Sequence, residues 1–266
     1  MALLHVNFFS DVLGKSMSME VILPQRTTQQ IGMKSMLPGG KYPTLYLLHG
    51  MTDDETCWIR RTSIERYVSD LGIAVVMPNG DLSWYSDTTY GAKYWTYLSE
   101  ELPSICREFF PNMSDRPEDT FVAGNSMGGY GAFKLALGKP DTFGAAAGLS
   151  SALHIESIVR NNPAGDTFGK HYWESVLGPI EELENSQNNL LVLARKLKES
   201  GKKIPKLYEW CGTEDFLYDS QKEIIQEMQK MGYDISYHES PGRHGWAYWD
   251  TEIQNVLKWI LAREMS

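Results

Sequence analysis

Six short runs of apolar residues, at 44–49, 72–77, 120–123, 144–149, 206–211 and 235–238, are the feature that most limits what this chain can become. Each is too short for a buried helix, and continuous apolar character over such a span suits a parallel strand covered on both faces. Between them, residues 64–71, 100–110, 129–137, 220–231 and 252–261 carry apolar side chains at helical spacing. Strand and helix in alternation imply an α/β domain whose parallel strands are joined by right-handed crossovers, with helices on both faces of the sheet. Ahead of this pattern, residues 3–10 and 17–24 flank a break containing Gly14 and read as a β-hairpin. The polar stretch 25–41 reads as an exposed connection.

Two features bear on domain organisation. At 266 residues the chain suits a single α/β domain, and 42% hydrophobic with 12% aromatic residues is enough to fill a large core. Residues 151–201 break the rhythm, with Asn161, Asn162, Pro163 and Gly165 and no run of strand type. They read as an insertion over the sheet edge after the sixth strand, a cap segment whose aromatic patch is Phe168, Tyr172 and Trp173.

A formal net charge of −9 disfavours nucleic acid and anionic membranes, which call for clustered Lys and Arg, and points to a small, weakly charged partner. The three cysteines, Cys57, Cys106 and Cys211, are widely spaced and lack a C-x-x-C pair. They read as buried thiols in a reducing compartment. The first ten residues lack the pattern of a secretion signal, and no apolar stretch approaches the length of about eighteen residues needed to span a bilayer, so a cytoplasmic location is expected. There is no H-E-x-x-H or Cys/His cluster for a metal, so no metal is expected, and no Gly-rich segment has the form of a phosphate loop. A homo-oligomer remains open.

The most informative residues follow the run at 120–123: Gly124-Asn125-Ser126-Met127-Gly128, then Gly129, Tyr130 and Gly131. This is G-x-S-x-G between an apolar strand and the small-residue start of a helix. Glycines are needed there because the turn from strand to helix is so sharp that neighbouring positions tolerate almost no side chain, and the turn lifts the serine hydroxyl above the sheet. A serine hydroxyl becomes a useful nucleophile only when an adjacent base takes its proton. In this architecture the chain order is serine, acid, histidine, which excludes His5 and His49 as the base. His238 falls in the last strand, and His154 and His171 fall in the insertion. His244, in the loop Pro241-Gly242-Arg243-His244-Gly245, is free to turn toward the serine. The carboxylate that orients it belongs on the loop after the preceding strand, where the Gly-x-x-Asp spacing of Gly212 and Asp215 favours Asp215 over Glu214 and Asp219.

Acyl transfer also needs two backbone N–H groups aimed at the developing oxyanion. Met127, directly after the serine, supplies one. Met51, in Leu47-Leu48-His49-Gly50-Met51 at the end of an earlier strand, is the candidate for the other, with His49 as a structural imidazole bracing the loop. Aromatic residues after Pro78-Asn79-Gly80, namely Trp84, Tyr85, Tyr90, Tyr94 and Trp95, divide between core and pocket. Trp84, Tyr85, Trp95 and Trp173 are the candidates for substrate contact.

With these residues in place, the sequence resembles the esterase D family of α/β-hydrolases, and within it the bacterial tributyrin-type esterases. The matching segments are Leu47-Leu48-His49-Gly50-Met51, Pro78-Asn79, Ser83-Trp84-Tyr85-Ser86-Asp87, Glu101-Leu102-Pro103, residues 124–131, residues 210–218 and His244-Gly245-Trp246. The resemblance implies a cofactor-free serine carboxylesterase acting on short acyl esters through an acyl-enzyme, with Ser126, Asp215 and His244 at the family's triad positions. The family also contains S-formylglutathione hydrolases and mycolyltransferases, so the resemblance fixes the acyl-enzyme chemistry more firmly than the substrate, and thioesters or acetyl and feruloyl esters stay open. Asn125 departs from many relatives at the position before the serine, and residues 151–201 match least.

Overall fold

The computed structural model describes residues 1–161 and 168–262. Eight strands form one sheet in the order β1-β2-β4-β3-β5-β6-β7-β8: β1 (Ala2–Ser10), β2 (Lys15–Leu23), β3 (Thr44–Leu48), β4 (Ala74–Pro78), β5 (Thr120–Asn125), β6 (Ala145–Leu149), β7 (Lys206–Gly212) and β8 (Ile235–Ser240). The hairpin β1–β2 is antiparallel, as is the pairing of β2 with β4, and all other pairs are parallel. Every residue of β3, β4, β5 and β6 is buried. That is why these strands are continuously apolar in sequence.

The period-2 geometry of the strands divides the core into two layers. Leu45, Leu47, Val75 and Ala123 face the helices Cys57–Arg61, Ile64–Val68 and Trp246–Leu261. Tyr46, Leu48, Val76 and Val122 face the helices Leu102–Phe109, Met127–Gly138, Leu190–Ser200 and Tyr218–Lys230. In helix Met127–Gly138 every residue but the last is buried, with the helix Leu190–Ser200 packed against it. A helix apolar on nearly every side belongs at such a position, and its one charged residue, Lys134, is hydrogen-bonded to Ser86 and Asn188.

Residues 151–201 follow the sixth strand, β6, and hold no strand among their described residues. They form the helices Ile155–Asn161 and Lys170–Leu177, a 3-10 turn Ile180–Asn185 and the helix Leu190–Ser200. The last packs on Met127–Gly138 and on Tyr218–Lys230. It is the ordinary crossover from β6 to β7, lying on the face of the sheet rather than over its edge. Its ends carry the expected signals: the Asn189 side chain accepts from Leu191 N–H, and Gly201 closes the helix at φ 69°. Asn162, Pro163 and Gly165 lie outside the described residues. Among the described residues no helix is long and apolar enough to cross a membrane.

Strand order also locates a cleft. The connection leaving β3 runs to β4 on one side, and the chain returns to β5 on the other. The loops at the carboxyl ends of β3 and β5 therefore part in opposite directions, and ligands bind open α/β sheets at such a switch point.

Candidate active site

Ser126 occupies the single position between β5 and helix Met127–Gly138, with φ 55° and ψ −119°. For a residue with a Cβ this backbone costs about 1–3 kcal/mol and must be held by its surroundings. The Ser126 N–H donates to Leu149 O at 3.0 Å, and Ser126 O accepts from Tyr130 N–H and Ala152 N–H, each at 3.1 Å. The turn is tight enough that a Cβ on Gly124 would lie 2.5 Å from the Gly128 carbonyl carbon, and one on Gly128 would lie 2.5 Å from Leu48 O. The pentapeptide thus packs its own turn against the end of β3.

His244 lies between β8 and the helix Trp246–Leu261, and Asp215 follows β7. Thr213 N–H donates to Ser240 O and Glu214 N–H to Gly242 O, both at 2.9 Å, which joins the two loops. Across this joint, His244 Nδ1 is 2.9 Å from Asp215 Oδ2 and 3.1 Å from Oδ1. The Asp215 side chain is fully buried and its Oδ1 also accepts from Leu217 N–H. An Nδ1–H pointing at this carboxylate leaves Nε2 as the basic nitrogen of a neutral imidazole. The competing carboxylates are elsewhere: Glu214 pairs with Arg243 at the surface, and Asp219 is exposed in the first turn of Tyr218–Lys230. Among the other histidines, His238 stacks on Tyr208 along β8, His154 lies near Glu223, and His171 is exposed.

The loop after β3 lies against the serine. A Cβ on Gly50 would be 3.4 Å from Ser126 Cβ. Met127 is buried and Met51 half-buried, and no acceptor among the described residues takes the N–H of either. Met127 also opens a 12-residue helix, whose N-terminus favours negative charge. His49 is fully buried, its Nε2 accepting from Gly80 N–H at 2.9 Å while Nδ1–H donates to Gly50 O at 2.8 Å. Burial lowers its pKa from the ordinary 6.5, consistent with a neutral ring held by main-chain groups.

The aromatic candidates fall largely in the core. Tyr85 is fully buried: its hydroxyl donates to His49 O at 2.7 Å, and its ring fills the space that a Cβ on Gly131 would need. Trp84 is buried between Tyr130 and Trp173. Trp95 covers Gly138, at the end of the helix remote from Ser126. Trp173 is buried as well and borders a 450 Å³ cavity between the helices Ile155–Asn161 and Lys170–Leu177, lined also by Glu156, Arg160 and Lys170. Trp84 and Tyr85 are thus packed within the core, where burial of a large ring is favourable, and Trp95 is half-buried.

Two neighbours of His244 were not anticipated. The Phe216 ring lies 4.6 Å from the imidazole and is 62% exposed, while the buried Trp249 meets it edge-on at 4.9 Å. Their sequence signal is adjacency alone: Phe216 follows Asp215, and Trp249 lies one helical turn past Gly245.

Comparison with known proteins agrees with this architecture. The family described as "Putative esterase" matches residues 10–260. An acetyl esterase of Caldicellulosiruptor saccharolyticus is 31% identical over 263 residues, covering 98% of each chain. Among solved structures, the fluorophosphonate-binding serine hydrolase FphF of Staphylococcus aureus superposes with a TM-score of 0.87 at 32% identity, covering 98% of this chain and 99% of the other. The S-formylglutathione hydrolase FrmB of the same organism gives 0.84 at 32% identity, with the same coverage. The chain belongs to this esterase family, and it is a carboxylic ester hydrolase with the α/β-hydrolase fold.

Proposed function

We propose that the protein hydrolyses short acyl esters of small alcohols, without a cofactor, through an acyl-enzyme on Ser126. In the first half-reaction Ser126 Oγ bonds to the ester carbonyl carbon while its proton passes to His244 Nε2. The negative charge formed on the carbonyl oxygen is received by the N–H groups of Met51 and Met127. Collapse of this intermediate breaks the bond to the alcohol oxygen, which leaves with the proton from His244. Water then attacks the acyl carbon with His244 again as base, releasing the acid and restoring Ser126. Asp215 holds the imidazole in the required tautomer throughout.

The single observation that carries this reading is the His244–Asp215 pair on the same carboxyl edge of the sheet as a serine held at φ 55° against the Gly50 loop. Similarity to an acetyl esterase supports short acyl groups. Within the family, the motifs at 47–51, 83–87 and 210–218 favour the esterase D, tributyrin-type branch. Cleavage of S-formyl thioesters is a second reading, supported by the 32% identity to FrmB, and it would use the same residues. The three buried, unpaired cysteines fit a cytoplasmic setting.

The test is Ser126→Ala. We expect kcat to fall on the order of a million-fold with the circular dichroism spectrum unchanged, and fluorophosphonate labelling to be lost. Wild-type turnover in that variant would remove Ser126 from the mechanism. A panel of acetyl, butyryl and octanoyl esters on one chromogenic alcohol, with S-formylglutathione alongside, ranks the substrates, and preference for the octanoyl ester would refute the short-acyl reading.

A further inference from the structure

Glu209 lies in the interior of β7, between Tyr208 and Trp210, where a strand covered on both faces calls for apolar side chains. It is fully buried, and burial pushes its carboxyl up to about 8. A buried carboxyl is costly unless its oxygens are hydrogen-bonded, and here both are bonded to one residue. Oε1 accepts from Ser151 N–H at 3.1 Å, and Oε2 lies 2.7 Å from Ser151 Oγ. Space for this pair exists because neighbouring positions lack a side chain: a Cβ on Gly148 would come within 2.0 Å of both Glu209 Oε2 and Ser151 Oγ.

The pair leads to the serine through the turn after β6. Ser126 N–H is bonded to Leu149 O, and Ser126 O to Ala152 N–H, so residues 149–152 engage both main-chain polar groups of a strained residue. This turn is strained in its own right, with Ser150 at φ 51°. It is held at three places: Ser150 N–H donates to Trp210 O at 2.7 Å, Trp249 Nε1 donates to Ser150 Oγ at 3.1 Å, and Ser151 is bonded twice to Glu209. Trp249 is also the ring that abuts His244. One turn therefore touches the mounts of both reacting groups.

We propose that Glu209 is a positioning residue: its paired hydrogen bonds to Ser151 fix the 149–152 turn, and through that turn the backbone of Ser126, so that the hydroxyl is aimed at the ester carbonyl. This rests on the assignment of Ser126 as nucleophile. A residue that only fills space in β7 would be replaced without consequence by an apolar side chain of similar length, whereas a positioning residue requires an acceptor for Ser151 N–H and a partner for its hydroxyl.

Three variants separate these roles. Glu209→Gln retains an acceptor and supplies a donor to Ser151 Oγ, so kcat stays within about threefold of wild type. Glu209→Met keeps the length and loses both bonds; kcat falls by about thirtyfold to a hundredfold with KM within about twofold, because misaim costs rate rather than binding. Ser151→Ala removes only the hydroxyl contact and lowers kcat by about tenfold. A folded Glu209→Met enzyme with wild-type kcat, a loss confined to KM, or damage in Glu209→Gln equal to that in Glu209→Met would each overturn the proposal. Where Glu209→Met fails to fold, Ser151→Ala decides, and wild-type kcat there overturns it. Ser126→Ala is assayed in parallel. Surviving activity in that variant sinks the nucleophile assignment itself, whereas an inactive Ser126→Ala beside an unaffected Glu209→Met sinks only the role of Glu209.

Discussion

The loops leaving β3 and β8 each carry a histidine at the carboxyl edge of the sheet, and they use it in opposite ways. Both ring nitrogens of His49 are taken by main-chain groups, Gly50 O and Gly80 N–H, and the ring is fully buried. His244 commits one nitrogen to Asp215 and keeps the other, with its side chain 19% exposed. A ring with no nitrogen to spare can only brace. In the proposed cycle the β3 loop therefore acts through its backbone amides, braced by His49, and the β8 loop acts through a side chain. On the proposed mechanism the same residue type is scaffold or base according to how many of its nitrogens the main chain has claimed.

The largest test of this contrast is His244→Ala. In the proposed cycle His244 is the proton acceptor that the serine depends on, so kcat should fall on the order of a million-fold, much as for loss of the proposed nucleophile. Steady-state hydrolysis of an acetyl ester measures it. A fall of less than a hundredfold would mean that another group serves as base.

Next in size is Asp215→Asn, expected to lower kcat by about ten-thousand-fold while leaving the fold intact, because the amide favours the wrong imidazole tautomer. Glu214→Gln is its control and should change kcat by less than about twofold, since Glu214 is exposed and its pair with Arg243 lies at the surface. The reverse ranking in the same assay would transfer the orienting role to Glu214.

On the β3 side the side chain should matter little and the N–H much. Met51→Leu should leave kcat within about twofold. Met51→Pro deletes the N–H and should cost about a hundredfold to a thousandfold in kcat, the usual effect of losing one oxyanion donor. Equal damage from both would show that the methionine side chain, not its amide, is what the site uses.

How far these features were legible in the sequence follows from what each demands locally. The turn around Ser126 was plain because Gly124 and Gly128 are sterically compelled, and the His244–Asp215 pairing followed from strand order and Gly-rich loops. The six apolar runs all became strands; in β3 to β6 burial on two faces leaves no polar alternation to confuse them, while in β8 at the sheet edge only Ile235 is buried. Aromatic residues carry no such compulsion. Trp84 and Tyr85 satisfy a core as well as a pocket, and only their packing against Tyr130 and Gly131 decides between the two. The crossover helix Leu190–Ser200 was hidden for a different reason: its Asn189 and Gly201 caps are ordinary, but they follow a long irregular stretch that drew the whole of 151–201 into one reading. Glu209 passed unnoticed inside the apolar run 206–211, because its partner Ser151 is remote in sequence and visible only once β6 and β7 are paired.

The smallest expected effect belongs to His49, and it sharpens the contrast by pH. Glutamine at this position cannot reach Gly80 N–H and Gly50 O together, so His49→Gln should leave a buried group unpaired at a cost of about 1–3 kcal/mol and slow kcat by about tenfold through the loosened loop. Burial holds the His49 pKa below 6.5 in the folded protein, so between that lowered value and 6.5 the unfolded chain binds the extra proton. Stability from the neutral ring is thus complete above 6.5 and is lost as pH falls through the folded value. Urea unfolding of wild type and variant at a series of pH values should therefore show their stability difference shrinking below 6.5. A difference that stayed constant into acid would mean that His49 is free to take up a proton in place, and that the β3 loop does not depend on a neutral brace.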